Sequence, residues 1–222
     1  MDARILRHPT SSWTVQRKLD RVVRGNRLGF KKDRIVGKEY LDIGCGLNVN
    51  DTFIGLDYLW HPGLDICCDV TKGIPLPDGS LKGVYTEHCI EHLELVDTYR
   101  LFAEFMRVLR PGGTVRIIVP DAEIYARGYI AVRDGTSDKP LPYHEHDVLD
   151  GFYTPVMSLN RIFNEWGHKF IYDFETLRAM LERRGFVDIV EESFRSGRDA
   201  TMLLDSEEHI AESVYVEAGK PA

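Results

Sequence analysis

Short apolar runs that stop at turn residues alternate with stretches of helical spacing along most of this chain. Residues 90–109 place apolar side chains at intervals of three and four, which is the period of an amphipathic helix. Four runs have the length of strands: residues 39–43, 52–56, 83–86 and 114–119. Strand, turn and helix in alternation predict an α/β fold in which a parallel sheet carries helices on its faces.

The second half of the chain begins with a long interruption of this pattern. Residues 121–172 fit no strand and hold much of the aromatic and histidine content. Such an interruption in a compact domain is usually functional. Residues 174–184 then have helical spacing, with Gly185 placed to end the helix. Two closing strands are predicted at residues 186–191 and 213–218.

Charge is divided unevenly along the chain. Residues 1–38 hold eleven Lys and Arg against three Asp, whereas the whole chain has a formal net charge of −7. Because the remaining body is acidic and would repel phosphate, the sequence argues against a nucleic-acid partner. The basic extension is predicted to be helical, since Val15, Leu19, Val22 and Val23 recur at helical spacing. Packing on the domain remains open for it, as does contact with a phosphate-bearing substrate, a membrane surface or a partner.

The composition, with 43% hydrophobic residues, fits one domain with a substantial core. We expect no membrane span, because no apolar run approaches the roughly 20 residues that a spanning helix needs. The first residues lack the apolar segment of a secretory signal, so a cytoplasmic location is expected. Four cysteines without CxxC spacing are predicted to be reduced thiols: Cys45, Cys67, Cys68 and Cys89.

A glycine turn follows the first predicted strand, in the segment from Leu41 to Asn48. Gly44 and Gly46 would let the backbone approach a ligand at the carboxyl end of a parallel strand, where open α/β sheets bind ligands. A dinucleotide fingerprint needs a third glycine three positions after the second, and this chain has Val49 there. A pyrophosphate, and with it an NAD- or FAD-dependent oxidoreductase, is therefore disfavoured.

Acidic residues stand where the next strands end. Asp57 can accept hydrogen bonds from both hydroxyls of a ribose, or it can serve the turn itself. Asp69 lies twelve residues further and can accept from an exocyclic amine of adenine, while Val70 offers a backbone amide and an apolar face.

The series of motifs resembles the class I methyltransferases, and more narrowly the small bacterial type often associated with glycan and polysaccharide biosynthesis. The motifs occur in the expected order: Leu41 to Gly46, Asp57, Asp69-Val70, Leu76 to Ser80, Tyr85 to Leu93, Val108 to Gly113, Trp166 to Phe170 and Glu212 to Pro221. The resemblance implies a Rossmann-like α/β methyltransferase fold. Its sheet would be mostly parallel and seven-stranded, with helices on both faces and an antiparallel closing strand.

The resemblance also implies S-adenosyl-L-methionine as the cofactor and S-adenosyl-L-homocysteine as the product. Many relatives have a third glycine where this chain has Asn48, a residue that tolerates left-handed backbone. The implied cofactor-binding residues are Asp42, Gly44, Cys45, Gly46, Asn48, Asp57, Tyr58, Asp69, Val70 and Glu87. Residues 39–222 would form the methyltransferase domain, with an acceptor-binding insertion at 121–172.

The acceptor side leaves three hypotheses open. His88, Glu91 and His92 would share one helix face if a helix starts at His88. In the first hypothesis His168 or His92 is a general base, with His168 preferred because it lies in the insertion. In the second, these four residues bind a divalent metal, which we do not favour and for which no ligand is assigned. In the third, Glu91 and His92 merely pack the helix.

These features predict a methyltransferase that acts on a small-molecule acceptor. The favoured acceptor group is a hydroxyl of a sugar, glycan intermediate or related metabolite. An amine acceptor is also compatible with these features, and so is a homodimer. The alternative is a catalytically idle S-adenosylmethionine-binding subunit that regulates a partner. Aromatic residues of the insertion are candidate walls of the acceptor site: Tyr143, Phe152, Tyr153, Phe163 and Trp166.

Overall fold

The computed structural model describes residues 30–222, which form one seven-stranded sheet in the order β3-β2-β1-β4-β5-β7-β6. Strands β1 to β5 pair in parallel, and β7 is antiparallel to both β5 and β6. The predicted mostly parallel Rossmann-like sheet is confirmed. The strands are β1 Tyr40–Ile43, β2 Phe53–Asp57, β3 Ile66–Cys67, β4 Leu81–Glu87, β5 Leu109–Pro120, β6 Val187–Glu192 and β7 Ser213–Gly219.

Five α-helices of the described residues surround this sheet. They are α1 Lys32–Ile35, α2 Leu95–Val108, α3 Ala122–Arg133, α4 Pro155–Asn164 and α5 Phe174–Arg183. None of the helices in residues 30–222 has the length and apolar character required to cross a membrane. Most of the predicted basic extension lies outside the described residues. Its final residue, Lys38, forms an ion pair with the buried Asp65 at 2.8 Å.

The helix predicted at residues 90–109 is shorter than the spacing indicated. A 3₁₀ turn spans Ile90–His92, and α2 begins at Leu95 after an extended Leu93. The shared helix face of His88, Glu91 and His92 required a helix that starts at His88; this condition is not met, because the φ of His88, 45°, lies in the left-handed region. At the other end α2 passes directly into β5, and a register shift opposite Leu81 accommodates the Pro-Gly-Gly segment at 111–113.

The two faces of the sheet are covered differently. Helices α2 and α5 pack on one face, where Phe102 and Phe105 of α2 and Leu177 of α5 are fully buried among strand residues. On the other face, aromatic strand residues pack with Met202, which lies in the segment between β6 and β7. The four cysteines, all in the described part of the chain, form no disulfide with one another.

The insertion at 121–172 folds around a small core of its own. Tyr125 of α3 and Ile162 of α4 are buried there together with Leu141 and Ile171. The hydroxyl of Tyr125 donates to Glu212, which immediately precedes β7. The insertion is therefore attached to the sheet at the start of its antiparallel strand.

A buried ion network fixes the segment between β6 and β7 to the sheet. Arg116 of β5 is fully buried, and its Nε lies 2.9 Å from Asp205 Oδ1. Its Nη1 donates to Glu217 of β7 at 2.9 Å and to the carbonyl oxygen of Ser196 at 2.8 Å. Because each charge is paired and hydrogen-bonded, the network is tolerated in the core, but losing one member leaves charges without a partner.

We predict that Arg116→Met lowers the free energy of unfolding by about 3–5 kcal/mol, because two carboxylates stay buried without their cation. The matched control is Arg127→Met, which breaks an exposed pair with Glu123 on α3 and should cost less than about 1 kcal/mol. Urea unfolding measures both changes, and equal losses in the two variants would contradict this account of the network.

Candidate functional site

The carboxyl ends of β1, β2 and β4 meet at one edge of the sheet, because these three strands are parallel neighbours. Two cavities open at this edge and share Gly44 and His88 in their walls. The first, of about 610 Å³, is lined by residues that include Asp57, Asp69 and His92. The second, of about 360 Å³, is lined by polar residues that include Asp42 and Glu87.

The glycine turn after β1 forms walls of both cavities. Gly44 has φ +77°, and a Cβ there would lie 2.6 Å from Sγ of Cys89, so a larger residue does not fit. Gly46 has φ +53°, and a Cβ there would meet no heavy atom within 4 Å. Cys45 and Asn48 line the second cavity beside it. The structure thus places the predicted turn at the site and leaves open space in front of Gly46.

Asp57 ties this turn to the tip of β2. Its Oδ2 accepts from the backbone N–H of Gly46 at 3.0 Å, and its Oδ1 accepts from that of Leu59 at 2.7 Å. Asp57 therefore stabilises the turn, which is one of the two roles that the sequence allowed for it. A carboxylate has about four acceptor positions, so Asp57 keeps two for a ligand in the first cavity.

Asp69 and Val70 lie at the far end of the first cavity, with Tyr58 also in its wall. The carboxylate of Asp69 caps a 3₁₀ turn by accepting from the N–H and hydroxyl of Thr71 at 3.1 and 2.6 Å. Burial acts to raise the pKa of Asp69, but hydrogen bonds from Thr71 and Lys72 outweigh it and lower that pKa. Asp69 is therefore a charged acceptor that is already partly engaged.

Two carboxylates of the second cavity have opposite environments. Glu87 accepts from Tyr85 Oη, Ser206 N, Ser206 Oγ and His209 Nδ1 at 2.8 to 3.0 Å. Burial acts to raise its pKa, yet the hydrogen bonds from His209 and Ser206 bring it to about 2. Asp42 is 6% exposed, and its carboxylate makes no hydrogen bond within residues 30–222. Burial, with the nearby charges of Glu87 and Asp57, raises the pKa of Asp42 to about 7.

Two imidazoles stack between these cavities. The rings of His88 and His209 lie 3.7 Å apart, and Nε2 of His88 is 2.8 Å from the Ser213 hydroxyl. Burial lowers the pKa of His88 to about 3. Burial also acts to lower the pKa of His209, but its hydrogen bond to Glu87 raises it. The pair therefore combines a neutral ring with a ring that favours its charged form.

A second group of titratable side chains adjoins the first cavity at His92. Glu91, His92 and His168 each offer one ligand-type atom, and these atoms lie within 4.8 Å of one another. Neither carboxylate oxygen of Glu91 has a hydrogen-bond partner among residues 30–222. Burial raises the pKa of Glu91 to about 8. His88, the fourth residue of the metal hypothesis, is not part of this set, although its Nδ1 lies 3.7 Å from Glu91 Oε1.

The aromatic residues of the insertion contribute unequally to this region. Trp166 packs beside His168, with ring centroids 5.6 Å apart. Tyr143 instead donates its hydroxyl to the carbonyl of Glu208, and Phe152 and Phe163 are exposed. Tyr153 lies within hydrogen-bonding distance of the Ser158 hydroxyl. Trp166 is thus the candidate wall residue that the structure places next to the histidine pair.

Sequence reasoning missed the segment between β6 and β7, which supplies Ser206, Glu208 and His209 to the second cavity. No turn glycine or strand end marks these residues, and their contact with Glu87 joins positions about 120 residues apart. The one available signal was the polar Glu207-Glu208-His209 run shortly before a predicted strand.

A family model described as a methyltransferase domain matches residues 45–117. A probable S-adenosylmethionine-dependent methyltransferase of Mycolicibacterium smegmatis is 31% identical over 143 residues, which cover 56% of this chain and 52% of that protein. The chain therefore spans about half the length of the curated relative that it matches.

Solved structures of known methyltransferases are similar in fold. Haemonchus contortus phosphoethanolamine N-methyltransferase 2 in complex with S-adenosyl-L-methionine gives a TM-score of 0.51 at 17% identity, over 92% of this chain and 53% of that one. Its complex with phosphomonomethylethanolamine and S-adenosylhomocysteine gives 0.50 at 16% identity, with the same coverage. At such identities the likeness concerns the fold alone.

We predict that Gly44→Ala destabilises the protein more than Gly46→Ala does. Both substitutions place a Cβ on left-handed backbone, which costs about 1–2 kcal/mol. Gly44→Ala adds the overlap with Cys89, and such overpacking costs about 1–3 kcal/mol more. Urea unfolding measures the difference. A Gly46 variant as unstable as the Gly44 variant would contradict the open space assigned to Gly46.

Proposed function

We propose that this chain, which has the Rossmann-like class I methyltransferase fold, is an S-adenosylmethionine-dependent methyltransferase. The observation that carries the proposal is the first cavity, whose wall brings together the glycine turn, a strand-end carboxylate and a second acidic residue. The family match over residues 45–117 supports the same assignment. The reaction class is methyl transfer from a sulfonium donor to a nucleophile of a second substrate.

In this proposal the cofactor occupies both cavities and passes Gly44, which belongs to the wall of each. The ribose hydroxyls donate to the free acceptor positions of Asp57, and the adenine lies against Val70 with its amine toward Asp69. The methionine part enters the second cavity. The residues we assign to the cofactor are Asp42, Gly44, Cys45, Gly46, Asn48, Asp57, Tyr58, Asp69, Val70 and Glu87.

The environments of the two carboxylates suggest different tasks at the methionine end. Glu87 is saturated by four protein hydrogen bonds, so it positions the cavity wall through Ser206 and His209. Asp42 is buried, faces the second cavity and has no hydrogen-bond partner in the described part of the chain. We therefore assign to Asp42 the charged contact with the amino group of the methionine moiety.

The acceptor is proposed to bind where the first cavity meets His92 and His168. A sulfonium methyl is already activated, so the protein mainly has to align it with the nucleophile and exclude water. A hydroxyl acceptor must also lose its proton, and in the metal-free protein an imidazole of this pair is the base. Nδ1 of His168 lies 2.7 Å from the carbonyl of Ile162, which leaves Nε2 to accept that proton.

The proposed acceptor is a small molecule with a reactive hydroxyl, such as a sugar or a glycan intermediate. The pair of imidazoles beside the cavity favours an enzyme over an idle cofactor-binding subunit, because a regulatory subunit has no need of a base there. Incubation with S-adenosylmethionine and a panel of such acceptors, with S-adenosylhomocysteine release as the readout, tests the activity itself. Binding of the cofactor without turnover on any acceptor would favour the idle subunit.

We predict that Asp57→Asn weakens S-adenosylhomocysteine binding by about 1.5–3 kcal/mol, because the ribose hydroxyls lose a charged acceptor. Isothermal titration calorimetry measures the affinity. The matched control is Asp51→Asn, which changes an exposed aspartate in the link between β1 and β2 and should leave it unchanged. Unaltered affinity in a folded Asp57→Asn protein would remove Asp57 from the cofactor site.

We also predict that the affinity for S-adenosylhomocysteine rises with pH up to about 7. Burial keeps the Asp42 carboxyl protonated below its pKa of about 7, and an ion pair with the cofactor ammonium requires the carboxylate. Binding therefore releases a proton at lower pH, and affinity should fall by up to about tenfold for each pH unit below 7. Calorimetry between pH 5.5 and 8 measures this slope. Asp42→Asn should flatten it, and an unchanged slope in that variant would assign it to another group.

A further inference from the structure

The carboxylate of Glu91 has an environment that the protein chain alone does not satisfy. It is fully buried, and both of its oxygens lack a hydrogen-bond partner within residues 30–222. Buried polar groups in folded proteins are almost always hydrogen-bonded, and buried carboxylates are paired with cations or coordinate metal ions. Of the described residues, the groups that face it as ion-pair partners are two imidazoles, those of His88 and His92.

The geometry around Glu91 is that of a small ligand set. Its Oε1 lies 3.8 Å from Nε2 of His92, and the ligand-type atoms of Glu91, His92 and His168 lie within 4.8 Å of one another. Atoms that each lie about 2.1 Å from one ion are separated by at most about 4.2 Å. The Glu91–His92 pair is already within this limit, and binding of an ion requires the third ligand atom to move closer.

The surroundings of His168 fix its ring in the form that a metal needs. The 2.7 Å contact between Nδ1 and the Ile162 carbonyl requires Nδ1 to carry the hydrogen, so Nε2 presents a lone pair. This arrangement, in which one ring nitrogen donates to a carbonyl, is typical of histidines that bind metal through the other. The backbone N–H groups of Lys169 and Phe170 also donate to the carbonyl of Glu91, at 2.7 and 3.2 Å. The two segments that bear the ligands are thereby held together.

We infer that Glu91, His92 and His168 bind a divalent transition-metal ion at the acceptor end of the first cavity. Two imidazoles and one carboxylate suit Zn²⁺, Mn²⁺ or Fe²⁺, whereas Mg²⁺ and Ca²⁺ prefer oxygen ligands. Three protein ligands leave coordination positions for further molecules, as in catalytic rather than structural sites. His92 also lines the first cavity, so these positions are adjacent to it.

The role of the ion rests on the proposed function. An acceptor hydroxyl bound to the metal has a lowered pKa and releases its proton to solvent. The acceptor oxygen then forms the bond to the methyl carbon while the carbon–sulfur bond breaks, and the electron pair of that bond stays on sulfur. The imidazoles act as ligands in this form of the protein.

Co²⁺ titration of the chelator-treated full chain tests the site without cofactor or acceptor. We predict that one Co²⁺ ion binds per chain and that it gives the visible absorption bands typical of Co²⁺ with a low coordination number. Glu91→Gln and His168→Gln should bind Co²⁺ about 100-fold more weakly or not at all, because each lacks one of three ligands. The matched control, His146→Gln, changes an exposed histidine of the insertion and should bind as the wild type does. Thermal unfolding of each metal-free variant verifies that it is folded.

Weak or substoichiometric Co²⁺ binding by the wild type would overturn the site. Equal binding by the folded Glu91→Gln variant would do the same, since the buried carboxylate is the centre of the proposal. Metal binding in a chain that does not bind S-adenosylhomocysteine would uphold the metal site and refute the methyltransferase. Stoichiometric metal binding with methyl transfer that is indifferent to chelation would overturn the role of the ion in holding the acceptor.

Discussion

Parallel pairing of β1 with β2 on one side and β4 on the other determines where this protein can bind anything. The ends of these strands reach one edge, and the chain must turn there without blocking it. Glycine is required at position 44 because a Cβ there would overlap Cys89. Glycine suits position 46 because the backbone there is left-handed, a conformation that glycine adopts readily. The carboxylate of Asp57 then fastens the turn of one strand to the tip of the next. Both cavities depend on this arrangement.

Buried carboxylates around that edge fall into two groups, and the contrast is informative. Glu87 and Asp205 receive hydrogen bonds or ion pairs from groups far away in sequence, so folding itself satisfies them. Glu91 is fully buried, and neither of its carboxylate oxygens has a hydrogen-bond partner in the described chain. Asp42 is also buried, and it lines the second cavity. A group that costs folding energy without an internal partner is most readily explained by an external one.

The sheet could be predicted from the sequence because its strands are short apolar runs that end at glycine, proline or aspartate. The glycine turn and the acidic strand ends were equally readable, since each is a local pattern. The backbone conformation of the segment around Glu91 could not be predicted in this way. Its helical spacing predicted a continuous helix, whereas the left-handed His88 and the extended Leu93 break it into a 3₁₀ turn. The spacing of apolar residues does not record either of these backbone conformations.

Long-range contacts explain the other failures. Arg116 finds Asp205 and Glu217 at separations of 89 and 101 residues, and nothing in the sequence identifies them as partners. The preference for His168 over His92 rested on separate locations for the two residues. In the structure their rings lie 5.0 Å apart, so the distinction between insertion and sheet edge does not apply.

The segment between β6 and β7 is held rigidly where it reaches the second cavity. Asp205 is fully buried against Arg116, and the very next residue, Ser206, lines the cavity and holds Glu87. A wall anchored one residue away from a buried ion pair cannot swing over a ligand. It has to be in position beforehand, so a ligand that binds against it loses little free energy to ordering the protein. The same rigidity limits which ligands fit: a ligand of another shape would require substitutions at the cavity-lining residues Ser206, Glu208 and His209, and not a movement of the segment that carries them.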